Sequence, residues 1–96
     1  EILILCELAG VRKEQITVTF DENYLIIRGE RNETIIPSEA IYHNLEIFYG
    51  PFERVIGLPR DIEIENAQAG LKQGFLLIRL TKGNSKRRVK REIRID

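Results

Sequence analysis

The fold class of this chain is decided by residues 16–30, which read ITVTFDENYLIIRGE. Ile16, Val18 and Phe20 alternate with two threonines, which is the period of a strand with one buried face. Residues 21–23 form a turn signal, because Asp and Asn tolerate left-handed backbone, and the chain then returns as a second strand from Tyr24. The stretch therefore predicts an antiparallel hairpin.

The same period of two recurs along most of the chain, with turn residues every eight to twelve positions. Gln73 and Gly74 separate two such runs and predict a tight hairpin in which the glycine adopts positive φ. Helix signals are nearly absent. We therefore expect an all-β antiparallel sandwich, with further strands over residues 2–8, 42–48, 52–58, 67–72 and 75–81. Because residues 1–5 already read as a strand, we also expect further residues to precede them.

Length and composition indicate a single domain with an aliphatic core. The chain has 96 residues, 43% of them hydrophobic, and contains neither Met nor Trp. Cys6 is the only cysteine, so no intrachain disulfide can form, and a cytoplasmic setting is favoured. No apolar run approaches the ~18 residues of a membrane span, so we expect no membrane partner. Residues 1–66 carry 13 acidic and 6 basic side chains, whereas the remainder carries 9 basic and 2 acidic, so an acidic body precedes a basic tail.

The residue types needed for catalysis are not assembled in this sequence. His43 is the only histidine, so neither a paired-histidine metal site nor a Ser-His-Asp arrangement finds a second one. The carboxylates alternate with apolar residues as on a solvated strand face, and no glycine-rich phosphate loop is present. Cys6 lies in an alternating apolar run, which favours a buried hydrophobe over a nucleophile. We therefore expect no enzymatic activity and no cofactor.

Two features of the C-terminal tail have competing interpretations. The basic run Lys86–Arg91 could bind phosphates, but no aromatic residue interleaves with it, so a solvated linker is favoured over a nucleic-acid site. Ile93 and Ile95 are spaced by two in an otherwise polar segment. This spacing suits addition to a sheet edge, but it equally suits an ordinary final strand. The residues alone leave both readings open.

Six motifs occur in order along nearly the whole chain. They are Glu7-Leu8-Ala9-Gly10-Val11 with its continuation to Ile16, Leu25–Arg31, Tyr42–Glu46, Tyr49–Arg54, Leu58-Pro59, and the set Ala69, Gly74 and Leu76. Together they resemble the α-crystallin domain of the small heat shock proteins, in their bacterial and plant branch. The sequence departs from the family pattern at Ala9, where proline is usual, and at Phe75, where valine is common.

The resemblance implies an immunoglobulin-like antiparallel β-sandwich of seven to eight strands over residues 1–81. It also implies an extended dimerisation loop at about residues 31–51, and a flexible extension over residues 82–96 that carries an Ile-x-Ile motif. In that branch a strand of the loop crosses to a partner and pairs with the partner's first strand, here residues 2–8. The dimer interface implied in this way comprises Ile2, Ile4, Cys6, Asn44, Leu45, Glu46, Ile47, Phe48 and Arg54.

The family's Ile-x-Ile motif, matched by Ile93 and Ile95, docks in a groove of a neighbour. The groove residues expected here are Leu25 and Ile27 on one side and Ala69 and Leu71 on the other. Whether the tail docks on its own groove or on that of another copy stays open. The function implied is that of an ATP-independent holdase chaperone, which binds unfolding proteins as a homodimer or higher homo-oligomer. The alternative is a co-chaperone adaptor of related fold that is monomeric and binds a single partner chaperone.

Overall fold

The structure, a computed structural model, describes residues 1–32, 37, 39–83 and 90–96. Within these ranges the chain forms seven strands and one short 3-10 helix over Lys13–Gln15. The strands are β1 (Ile2–Glu7), β2 (Ile16–Asp21), β3 (Tyr24–Arg31), β4 (Gly50–Gly57), β5 (Ile62–Lys72), β6 (Phe75–Lys82) and β7 (Arg91–Ile93).

The strands form two antiparallel sheets that enclose the core. The three-stranded sheet has the order β1-β6-β5, and the four-stranded sheet has the order β4-β3-β2-β7. This architecture confirms the predicted all-β sandwich. The side edges are β1 and β4 on one side of the molecule and β5 and β7 on the other.

Both predicted hairpins are confirmed. In the first, Phe20 pairs with Leu25 and Asp21 with Tyr24, with Glu22 in the turn at φ 55°. In the second, Lys72 pairs with Phe75 across Gln73 and Gly74, which have φ values of 53° and 82°. Two successive positive φ values characterise the tight turn whose twist matches that of the flanking strands.

The core is aliphatic with a single aromatic ring, as the composition predicts. Alternate residues of β2, β3, β5 and β6 point inward, so each of these strands contributes one face to the core. The most deeply buried side chains are Phe20, Leu25, Ile27, Ile62, Leu76, Ile78, Leu80 and Val18.

The strand predicted over residues 42–48 is wrong for the isolated chain. Residues 41–49 form no strand, and side chains there are exposed, with Ile41 at 93% and Phe48 at 65%. A strand needs a pairing partner for its backbone groups. In the described part of the chain, no strand pairs with these residues, so alternation alone does not make a strand of them.

β5 also differs from the sequence prediction, because it begins at Ile62 and not at Ala67. Ile62 and Ile64 are buried, and pairing with β6 shifts register between Glu63 and Gln68. Such an irregularity inserts residues into one strand and bends it. The polar residues of the bulge hide the continuity of the strand in the sequence.

Gly29 of β3 lies in close contact with its surroundings. A Cβ built on Gly29 would lie 2.5 Å from Cζ of Phe52 and 2.7 Å from the backbone oxygen of Gln15. The backbone oxygen cannot yield without moving the 3-10 turn. Glycine at this position therefore allows the Phe52 ring to pack against β3.

We predict that Gly29→Ala lowers the free energy of unfolding by about 1–3 kcal/mol, because the added methyl group overpacks this contact. Urea unfolding monitored by circular dichroism measures the change. Gly57→Ala is the matched control, since a Cβ there meets only Cε1 of Tyr24 at 4.0 Å. Equal stabilities for the two variants would contradict the assigned role of Gly29.

Candidate protein-binding surfaces

One side of the sandwich, between β1 and β4, is open. In the described ranges β1 pairs only with β6, and β4 pairs only with β3. Each strand therefore presents one edge of unpaired backbone groups, which is a template for a further strand. We call this side the open seam and define it by the half-buried apolar side chains that line it, which are Ile2, Ile4, Cys6, Phe52 and Ile56.

Cys6 and Arg54 face each other across the open seam. Burial raises the pKa of the Cys6 thiol above its ordinary value, and the positive charge of Arg54 partly opposes this shift. The thiol is therefore protonated at neutral pH. The guanidinium carbon of Arg54 lies 5.9 Å from the centre of the Phe52 ring, which is within the range of a cation–π contact.

Arg31 connects Phe48, at the end of the loop that precedes β4, to residues beside the open seam. Its side chain is only 12% exposed. Nε donates to the backbone oxygen of Ala9 at 2.8 Å, and a terminal nitrogen donates to the backbone oxygen of Phe48 at 3.2 Å. The Glu7 carboxylate is 3.9 Å from the other terminal nitrogen. One half-buried cation thus holds together the end of β1, the turn after it and the point where the loop re-enters the sandwich.

Several apolar side chains of the loop before β4 are exposed. Ile41, Leu45 and Phe48 all present large hydrophobic surface to solvent. Phe48 lines a groove of about 410 Å³ together with Glu7, Leu8, Arg31, Pro51, Phe52 and Arg54. Phe48, at the end of the loop, therefore lies beside β1 near its free edge.

The opposite side of the sandwich is closed by the C-terminal tail of the same chain. β7 pairs with β2 so that Ile93 lies opposite Val18, and the Ile93 side chain is only 7% exposed. Ile95 then bridges to Ala69 on the other sheet. The backbone N–H of Asp96 donates to the oxygen of Ala69 at 2.8 Å. The two isoleucines thus join the free edges of both sheets.

A sequence model of the Hsp20/alpha crystallin family matches the chain over residues 1–96. The chain belongs to this family. The resemblance inferred from the six motifs is thereby confirmed.

Several relatives of this Hsp20/alpha crystallin chain are small heat shock proteins of bacteria and plants. Small heat shock protein C4 of Rickettsia felis is 36% identical over 76 residues, which are 79% of this chain and 47% of the relative. The 16.9 kDa class I heat shock protein 1 of Triticum aestivum is 33% identical over 82 residues, which are 84% of this chain and 54% of the relative. The chain spans about half the length of these relatives.

Solved structures of small heat shock proteins have the same fold. Heat shock protein 16.0 from Schizosaccharomyces pombe superposes with a TM-score of 0.76 at 29% identity, covering 88% of this chain and 79% of that one. The hspA protein from Xanthomonas axonopodis superposes with a TM-score of 0.75 at 30% identity, covering 85% of each chain.

The expected tail groove of this Hsp20/alpha crystallin chain needs one correction. Leu25 and Ile27 lie on β3, which is paired on both edges and whose inward side chains are fully buried, so it offers no edge to the tail. The strand that pairs with the tail is β2. Ala69 bridges to Ile95, and the N–H of Leu71 donates to the oxygen of Asp96 at 3.5 Å. Counting strands from the sequence misplaced the groove by one strand.

The extension expected over residues 82–96 also differs in part. Lys82 ends β6, and Arg91–Asp96 lie on the sandwich, whereas residues 84–89, which include most of the basic run, lie outside the described residues. The described part of the chain contains no group of three or more His, Cys, Asp or Glu side chains that would ligate a metal. Its one helix has 3 residues, which is far too short to cross a membrane.

We predict that Ile93→Ala lowers the free energy of unfolding by about 2–4 kcal/mol, because it empties a buried site between the two sheets. Arg94→Ala is the matched control, since the Arg94 side chain is 93% exposed, and it should change stability by less than about 0.5 kcal/mol. Urea unfolding measures both. A loss no larger than that of the control would contradict the docked position of Ile93.

Proposed function

We propose that this chain is the central domain of an ATP-independent holdase chaperone that binds unfolding proteins and assembles from strand-swapped dimers. The observation that carries the proposal is the open seam. It combines two unpaired strand edges, half-buried apolar side chains and an adjacent exposed apolar loop in one place. Membership of a family of small heat shock proteins supports the same function.

The dimer contact is made by the loop. Residues Asn44–Phe48 of one copy add as a strand to the free edge of β1 in the other, where Ile2, Ile4 and Cys6 are incompletely covered. Backbone pairing supplies most of the affinity in such strand addition, and alternate side chains supply the register. Arg31 supports this arrangement, because it fixes the loop end at Phe48 beside β1. Arg54 lies at the rim of the same seam.

The tail provides a second, exchangeable contact. Burying two isoleucine side chains contributes roughly 3–6 kcal/mol before the costs of association, and those costs are of similar size. One tail docked on another copy is therefore a weak contact. The 11 residues from Lys82 to Glu92 reach at most about 36 Å. Several tails exchanged within one assembly would therefore add through effective concentration.

Client proteins bind at the strand edges when the loop or the tail that covers them is displaced or docks on another copy. A protein that unfolds exposes apolar side chains and extended backbone, which are the two things that an open strand edge lined with isoleucines binds. Neither step requires nucleotide. The proposal includes a cytoplasmic location, supported by the lone cysteine, and no cofactor, catalytic activity, nucleic-acid partner or membrane partner.

We predict that Leu45→Pro/Glu46→Pro abolishes the loop-mediated dimer contact without loss of monomer stability. Successive N–H groups of a strand point to opposite sides, so one of the two prolines must remove a donor to β1. In the isolated chain residues 41–49 form no strand, so no existing pairing of theirs is lost. Sedimentation velocity over a range of concentrations measures mass, and Leu45→Ala/Glu46→Ala, which retains both N–H groups, is the control for the lost side chains.

Dimers that persist in the proline variant with unchanged affinity would refute the strand exchange. A wild-type chain that is monomeric at every concentration would favour the co-chaperone adaptor instead.

For chaperone activity, we predict that a molar excess of the chain lowers the light scattering of a heat-aggregating enzyme equally with and without ATP. Phe48→Ser should lower the protection at least about two-fold, because it removes a largely exposed aromatic side chain beside the open seam. Glu46→Ala is the matched loop control and should protect as the wild type does. Protection that requires ATP, or that is absent from every variant, would refute the holdase function.

A further inference from the structure

The outer face of the three-stranded sheet is apolar, although it faces away from the core. We define this outer face by Leu3, Leu5, Phe75 and Leu77. Leu5 is 65% exposed, Leu3 54% and Phe75 46%. A groove of about 530 Å³ lies on this face and extends to β5 and Asp96. The loop exchange and the tail proposed above use strand edges, so they do not explain this face.

The strand registers arrange the outer face in three rows across the sheet. Glu7, Phe75 and Lys72 form the first row, and Leu5, Leu77 and Gly70 form the second. Leu3, Arg79 and Gln68 form the third. The two ends of each of the first two rows therefore carry side chains of different character. One end of the first is acidic and the other basic, and one end of the second is a projecting leucine and the other a glycine.

We propose that the outer face is a contact between two copies of this chain, related by a two-fold axis that runs parallel to β6 and over Leu77. Such an axis places β1 of one copy over β5 of the other while each row stays in register. Glu7 then lies opposite the partner copy's Lys72, and Leu5 lies over the partner copy's Gly70. Both relations occur twice, as an isologous contact requires.

The hollow at Gly70 suits the projecting leucine. A Cβ built on Gly70 would approach only the backbone oxygen of Asp96, at 3.9 Å, so the space above this backbone is open. The docked tail supplies one wall of the groove through Asp96. The apolar residues of the first two rows would thus be covered by those of the partner copy.

Arg79 forms a like-charge pair with the partner copy's Arg79, because it lies on β6 close to the axis. A terminal nitrogen of Arg79 is 3.4 Å from a carboxylate oxygen of Glu1 in the same chain, which partly offsets this repulsion. The contact of Glu7 with the partner copy's Lys72, in contrast, brings opposite charges together twice. Charge complementarity therefore favours a second copy over an unrelated apolar partner.

The size of the face predicts a weak contact. Six residues along three strands cover roughly 20 Å by 14 Å, or about 280 Å² per copy, whereas stable pairs bury about 800 Å² per partner. The contact therefore acts together with the loop and tail contacts, linking dimers into larger species.

The test measures self-association of the 96-residue chain by sedimentation velocity over a wide concentration range. All variants carry Leu45→Pro/Glu46→Pro, so that the loop contact is absent and its failure or success does not enter the comparison. In this background Leu5→Gln should weaken association about ten-fold, because it removes two projecting side chains from the contact. Val55→Gln should have no effect, since Val55 is similarly exposed, at 56%, on the other sheet.

Charge reversal tests the pairing itself. Glu7→Lys and Lys72→Glu should each weaken association roughly ten-fold, because two attractive pairs become repulsive. The combination Glu7→Lys/Lys72→Glu should restore it to within about three-fold of the starting value. Rescue by the double reversal would indicate that Glu7 pairs with the partner copy's Lys72. A loss caused by breaking the Glu7–Arg31 contact within one chain would not be repaired by Lys72→Glu.

Three results would overturn the proposal. The first is equal association for Leu5→Gln and Val55→Gln, and the second is a double reversal no better than the single ones. The third is a Leu5→Gln variant that protects a heat-aggregating enzyme less well while its mass distribution is unchanged, which would assign the face to clients.

Discussion

Every strand at the side of a β-sandwich has a row of backbone donors and acceptors that must be paired or left to water, and this requirement governs the molecule. The chain meets it on one side only. There the tail lies along β2 and bridges to β5, so the two sheets are joined through Ile93 and Ile95. On the other side, β1 and β4 keep free edges in the described ranges. The asymmetry between a closed side and an open one distinguishes a surface that stabilises the monomer from one suited to binding.

The parts of the fold that depend on local pattern were predictable from the sequence. Alternation in residues 16–20 and 24–30 and the turn at Gln73-Gly74 correctly predicted two hairpins, because both signals arise within a few residues. The bulge between Glu63 and Gln68 was not predictable, since it interrupts the alternation while the backbone stays extended. The strand expected over residues 42–48 is not formed in the isolated chain, for a related reason. Alternation of apolar and polar residues shows that a segment can bury one face. It does not show whether a second strand is available to pair with that segment.

The site was predictable in kind but not in position. The spacing of the two isoleucines left edge addition and an ordinary final strand both open. Their partner strand was misassigned to β3, because chain order does not reveal which strand lies at an edge. Arg31 was not singled out, although its contacts with Ala9 and Phe48 organise the loop end. A basic residue at the end of an apolar strand has many possible partners. Only the fold brings the two backbone oxygens to within its reach.

The proposed loop, tail and outer-face contacts are individually weak for different physical reasons. The tail gains about as much from burying two isoleucines as association costs. A loop strand gains backbone hydrogen bonds that replace those to water, and each such exchange is worth only about 1 kcal/mol. The outer face is small, so by itself it gives only a weak contact. In such a chain each of these contacts can open separately, because breaking any one of them costs little free energy while the others hold the assembly together. A holdase needs this property, since a surface sealed by one strong interface would be closed to clients, and a surface with no cover would aggregate.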